Sequence, residues 1–133
     1  MYKKLFALLM ACFIASVVLI ACSGASTGSG SSSNAAAGNQ VQMNDAQFEQ
    51  SSITIKKGAS VTLVSSTFTP HVIANGTWAN GQPKPAREAG APEINNVQVD
   101  GNSSKSFGPF NTAGTFQLYC TIHPGMNLTV VVK

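Results

Sequence analysis

Residues 119–126 read Tyr-Cys-Thr-Ile-His-Pro-Gly-Met, which sets a thiol (Cys120), an imidazole (His123) and a thioether (Met126) at i, i+3 and i+6. A strand cannot aim all three at one point, because its side chains alternate faces. A helix could align them as a packing stripe, but Pro124-Gly125 directly after His123 breaks a helix there. The segment therefore reads as a tight loop between two strands, one that folds His123 and Met126 back toward the Cys120 sulfur. The chain has two histidines, and the other is His71, in Thr69-Pro70-His71-Val72-Ile73. In a sandwich, strands distant in sequence end side by side, so His71 can complete the set.

Those four side chains could hold a metal ion. A thiolate and two imidazoles with a weak thioether are the donors of blue-copper sites. Zinc accepts Cys and His but seldom Met, so Met126 favours copper. Sulfur donors suit the cuprous state and imidazoles suit both states, which allows cycling with little rearrangement. Singly, each residue has an ordinary reading: His71 as a plain histidine, Met126 as core, Cys120 as a small buried hydrophobe. The inference rests on their coincidence.

The cysteine count sharpens it. MYKK is a short positive start, followed by a 17-residue apolar run that ends in Leu19-Ile20-Ala21-Cys22. Residues 1–21 read as a secretory signal peptide. The stretch Leu19-Ile20-Ala21-Cys22 resembles a bacterial lipobox, which implies cleavage before Cys22, lipidation of Cys22 and a membrane-anchored domain outside the cytoplasm. An uncleaved transmembrane anchor is the competing reading and leaves the domain on the same side. Cys12 departs with the signal and Cys22 carries lipid, so Cys120 is the one thiol left and no intrachain disulfide can form. A lone thiol in an oxidising compartment needs an occupant, and a metal is one.

Residues 22–40 are rich in Ser, Gly, Ala and Asn and read as a flexible tether. A coil of that length spans roughly 20–25 Å. The folded domain is then 41–133, of all-β class. Apolar alternation marks strands at 52–56, around Val61 and Leu63, at Val97 and Val99, and at 128–132, and 104–110 holds Phe107 and Phe110 around Gly108-Pro109. Over 115–120 it puts Phe116, Leu118 and Cys120 on one face and Gln117 and Tyr119 on the other. Short strands and frequent turn residues predict an antiparallel sandwich. Residues 75–96, with two Asn-Gly pairs and three prolines, read as a long surface loop with a short helical turn near 86–89. Asn75, Asn102 and Asn127 begin Asn-X-Ser/Thr triplets, read as chance occurrences. Without residues 1–21 there remain six basic and five acidic side chains, which gives no basic face for nucleic acid.

The segment from Gly114 to Met126, with the apolar strand after it and Pro70-His71 upstream, resembles the cupredoxins, the small blue copper proteins of plastocyanin and amicyanin type. The resemblance covers about 41–133. It implies a Greek-key β-sandwich with one type 1 copper near one end. His71, Cys120 and His123 would be equatorial ligands and Met126 the long axial one. The edge of His123, in an apolar patch with Pro124 and Gly125, would be the electron port, and Tyr119 a second contact site. Two positions depart from the family. Val72 stands where many relatives carry an Asn that braces the Cys loop, which leaves Thr121 without its usual partner. Ile122 stands where relatives often have Pro.

The implied function is a monomeric, membrane-tethered carrier of single electrons between a protein donor and acceptor. Copper delivery or storage is the alternative, disfavoured by one thiol and the absence of Met-rich or His-rich tracts. An enzyme is not expected: four protein ligands leave no open position, and both histidines are already assigned.

Overall fold

The structure, a computed structural model, describes residues 38–133. The expected signal peptide, the lipidation site at Cys22 and the tether up to residue 37 lie outside the described residues. Nine strands follow in order: β1 (Gln40–Met43), β2 (Ser52–Ile55), β3 (Val61–Ser65), β4 (His71–Ala79), β5 (Gln82–Pro85), β6 (Val97–Val99), β7 (Ser104–Phe107), β8 (Gly114–Cys120) and β9 (Asn127–Val132).

Period-two alternation decides which faces meet. Val61, Leu63 and Ser65 of β3 point inward, as do Phe116, Leu118 and Cys120 of β8 and Leu128, Val130 and Val132 of β9. β1, β3 and β7 form one sheet. β2, β9, β8, β4 and β5 form the other, with β6 also paired to β4. The inner faces close on a single core in which the Phe110 and Phe116 rings lie 5.7 Å apart. Each such side chain contributes about 1.5–3 kcal/mol on burial. This is the expected Greek-key β-sandwich, with a correction to its antiparallel character. β1 pairs with β3, and β2 with β9, in parallel. The cause is the path: β1, β2 and β3 alternate between sheets, so β1 and β3 return to one sheet running the same way.

Residues 75–96 are not one long loop. β4 runs on to Ala79 and turns back through Asn80-Gly81 into β5. Asn80 (φ 54°) and Gly81 (φ 72°) both take the left-handed conformation of a two-residue hairpin turn, which Asn-Gly favours. The helical turn expected near 86–89 is absent; an Ala91 N–H to Glu88 carbonyl bond closes a turn there instead.

The ladders also give the domain two distinct poles. β9 begins at Asn127, opposite Tyr119, and ends at Val132, opposite Gly114. Gln40 pairs with Thr62 near the start of β3, and the Lys57 N–H donates to the Lys133 carbonyl at 2.8 Å. The described chain therefore starts at the pole that holds Lys57 and Lys133. His71 and the 121–126 loop occupy the other.

Candidate metal centre

Residues 66–70 lead from β3 into His71. The Ser65 hydroxyl donates to the carbonyls of Thr67 (3.1 Å) and Thr69 (3.0 Å), which fixes this turn. The Thr69 hydroxyl donates to the Asp45 carboxylate at 2.7 Å, tying the turn to the end of β1 and holding the Asp45 carboxyl below its usual range. β6 flanks His71 with Val99 directly opposite. The His71 imidazole is thereby 0% exposed, and neither ring nitrogen has a hydrogen-bond partner. The nearby Asn44 carbonyl favours the charged form of the ring, although no hydrogen bond of regular geometry joins the two. Burial, then the neighbouring His123, holds this imidazole below the ordinary histidine range.

Cys120 ends β8 opposite Ile73, two residues beyond His71 on the adjacent strand, so the ladder itself brings thiol and imidazole together. The 121–126 loop is tight, as its sequence requires. The Cys120 N–H donates to the Met126 carbonyl at 3.0 Å and the Met126 N–H to the His123 carbonyl at 3.2 Å. Gly125, at φ 80°, supplies a left-handed turn that a larger residue would resist. His123 returns over the sulfur, with Sγ and Nδ1 3.3 Å apart, and meets the His71 ring edge-on at 4.9 Å. The donor atoms of His71, Cys120 and His123 all lie within 4.8 Å of one another. Met126 is buried at the end of the same loop.

This cluster is built to take an ion. Mere packing would leave the two buried His71 nitrogens unpaired, at a cost of about 1–3 kcal/mol for each unmet group. A shared cation satisfies His71, Cys120 and His123 at once.

The rim around His123 is apolar. Ile122 is 50% exposed, and Pro124 and Gly125 lie on the surface with His123 half-buried between them; Phe68, 91% exposed, lies in the turn that leads into His71. Tyr119 does not belong to this surface. It is only 3% exposed, because the chain after Gly76 crosses it and the Trp78 ring packs on it edge-on at 6.2 Å. The family's Asn brace, missing at Val72, has a main-chain substitute: the Thr121 N–H donates to the Val72 carbonyl at 2.8 Å.

Sequence reasoning missed Trp78 and Asn127. The Trp78 indole N–H donates to the Cys120 carbonyl at 2.7 Å, and Asn127 bonds the Trp78 main chain on both sides. Asn80-Gly81 was the available signal for the hairpin that carries Trp78.

Residues 35–133 match the family described as copper binding proteins, plastocyanin/azurin family. No curated protein matches the chain. Among solved structures, amicyanin from Paracoccus versutus superposes with a TM-score of 0.54 at 23% identity, over 71% of this chain and 79% of its own. A purple cupredoxin from Nitrosopumilus maritimus gives 0.54 at 19% identity, over 71% of this chain and 98% of its own. At such identity these two speak for the fold.

Proposed function

Since the chain belongs to the plastocyanin/azurin family of copper-binding proteins, we propose that it is a type 1 copper protein that carries single electrons between redox partners. His71, Cys120 and His123, with the Met126 thioether, would hold the ion. One observation carries this reading: two buried or half-buried imidazoles and the buried thiol converge while both His71 ring nitrogens lack any other partner.

Bound copper supplies the Cu(I)/Cu(II) couple. The chain supplies the rest. His71 and Cys120 hang from adjacent strands and the 121–126 loop is closed by main-chain bonds, so the donors keep their places across a change of charge. Full burial of His71 and Cys120 excludes water from the inner side. His123 bridges that interior to the surface, and its apolar rim suits the brief, small contacts of redox encounters. Four protein donors leave no position for a substrate, which favours a carrier over an enzyme.

The anchor belongs to the same proposal. Lipidation of Cys22 after removal of residues 1–21 would hold a monomeric domain outside the cytoplasm. The start of the described chain lies at the pole away from His71, so a tether attached there would leave the His123 rim free to meet a donor or acceptor.

The visible spectrum of the copper-loaded protein tests the reading. An intense thiolate-to-copper band is expected, and Cys120→Ser should abolish it. A colourless wild-type copper form would remove the basis for the site.

A further inference from the structure

We propose that Trp78 is a positioning residue that, together with Asn127, clamps the peptide immediately after Cys120 and so fixes the geometry of the metal centre; this rests on the copper reading above. The peptide in question joins Cys120 to Thr121. Its N–H is held by the Val72 carbonyl at 2.8 Å, and its C=O by the Trp78 indole N–H at 2.7 Å. A trans peptide points these two groups in opposite directions. One straight strand alongside β8 could therefore hold only one of them, yet both partners come from β4.

The path of β4 resolves this. Asn75 still lies opposite Leu118, in register with β8. Three residues on, the Trp78 N–H donates to Asn127 Oδ1 at 2.7 Å, and Asn127 Nδ2 donates to the Trp78 carbonyl at 3.1 Å. Asn127 stands on β9, beyond β8. The chain must leave the sheet edge and cross the outer face of β8 over Tyr119. Gly76 makes this possible. Its φ is +128°, and a Cβ there would collide with the Lys84 carbonyl oxygen.

The crossing gives Trp78 a double hold on the ligand loop. Its ring holds the carbonyl where the loop begins, and its main chain is locked to Asn127, where the loop ends. The Cys120 N–H is already taken by Met126, so every main-chain polar group of Cys120 is bonded. The Cys120–Thr121 peptide orientation sets where the chain departs from the sulfur-bearing residue, and hence where His123 and Met126 arrive. Groups that orient ligands in this way act strongly on metal binding, and their loss typically costs roughly 10- to 100-fold in affinity.

Trp78→Phe deletes the donor and keeps a ring over Tyr119. In the copper-loaded full chain, the thiolate band is expected to shift or weaken and cuprous ion to pass to bicinchoninate at least about tenfold faster. In the metal-free protein, the amides of Thr121 and Met126 should exchange with deuterium faster than in wild type. Asn127→Ala, which leaves the indole in place but frees its main chain, should act in the same direction, and the double variant should be little worse than Trp78→Phe alone. A variant with the wild-type band, release rate and exchange overturns the clamp, as do strictly additive effects. If Trp78→Phe does not fold, Asn127→Ala carries the test. A wild-type protein without a thiolate band sinks the copper reading instead, and the exchange comparison then still decides whether Trp78 holds the loop.

Discussion

Replacing His71 by Leu should make the metal-free protein more stable and the copper-loaded protein less so. The imidazole is fully buried with both nitrogens unpartnered. One unmet buried polar group costs about 1–3 kcal/mol. Leu has a similar volume and no polar atom, so it removes that cost without opening a large cavity. The metal-free variant should therefore gain about 1–3 kcal/mol. Each kcal/mol moves the midpoint of a domain this size by about 4–8 °C. Copper reverses the order. A ligand at a thousand times its dissociation constant stabilises the fold by about 4 kcal/mol, and a site without His71 forfeits most of this. Urea unfolding at pH 7.5, with and without copper, reads both halves. A metal-free variant weaker than wild type by about 1 kcal/mol or more would mean that the imidazole is satisfied within the native protein. An equal gain from copper in both proteins would mean that His71 is no ligand.

Three further outcomes follow from the same geometry. Met126→Leu conserves volume and should cost less than about 1.5 kcal/mol, while raising the reduction potential measured by voltammetry, since the axial donor tunes it; an unchanged potential would take Met126 out of the ligand set. Ile122→Glu alters a half-exposed rim residue, so stability should stay within about 0.5 kcal/mol, while like-charge repulsion slows self-exchange at low salt by about tenfold or more; an unaffected rate would place the port elsewhere. Gly76→Ala meets both a left-handed backbone and the Lys84 carbonyl and should cost at least about 2–3 kcal/mol. Gly58→Ala, at φ +85° with nothing nearby, should cost about 1–2 kcal/mol. Equal losses in denaturant unfolding would contradict the crossing.

The strands that line the core were legible because alternation is a local signal: β8 and β9 carry it in nearly every residue. β5 carries none. All of its residues, from Gln82 to Pro85, are exposed and two are proline, so neither hydrophobicity nor propensity marks it. What marks it is the Asn80-Gly81 turn, which two flanking prolines and a polar surround outweighed in a reading by composition. β4 shows the opposite difficulty. Gly76 weakens a strand on propensity grounds, but here it lets the strand leave its own sheet. The burial of Tyr119 follows from that departure. Alternation correctly put Tyr119 on the outer face; no local signal could report that another piece of chain would cover it.

The grouping of the donors was legible for a different reason: Cys, His and Met are rare enough in this chain that their spacing carries information. The groups that hold them do not share this property. The carbonyls of Val72 and Cys120 and the amide of Thr121 belong to the main chain, and any residue at those positions would offer them. Loss of the family's Asn at Val72 therefore looks from sequence like loss of a brace, although a brace through main-chain atoms needs no particular side chain there. Of the clamp, only the donor ring of Trp78 and the amide of Asn127 are written as residue types, 49 positions apart. Nothing links those positions until the bend at Gly76 brings them together. Ligand identity is thus a property of sequence in this protein, while ligand geometry depends on how one strand crosses another.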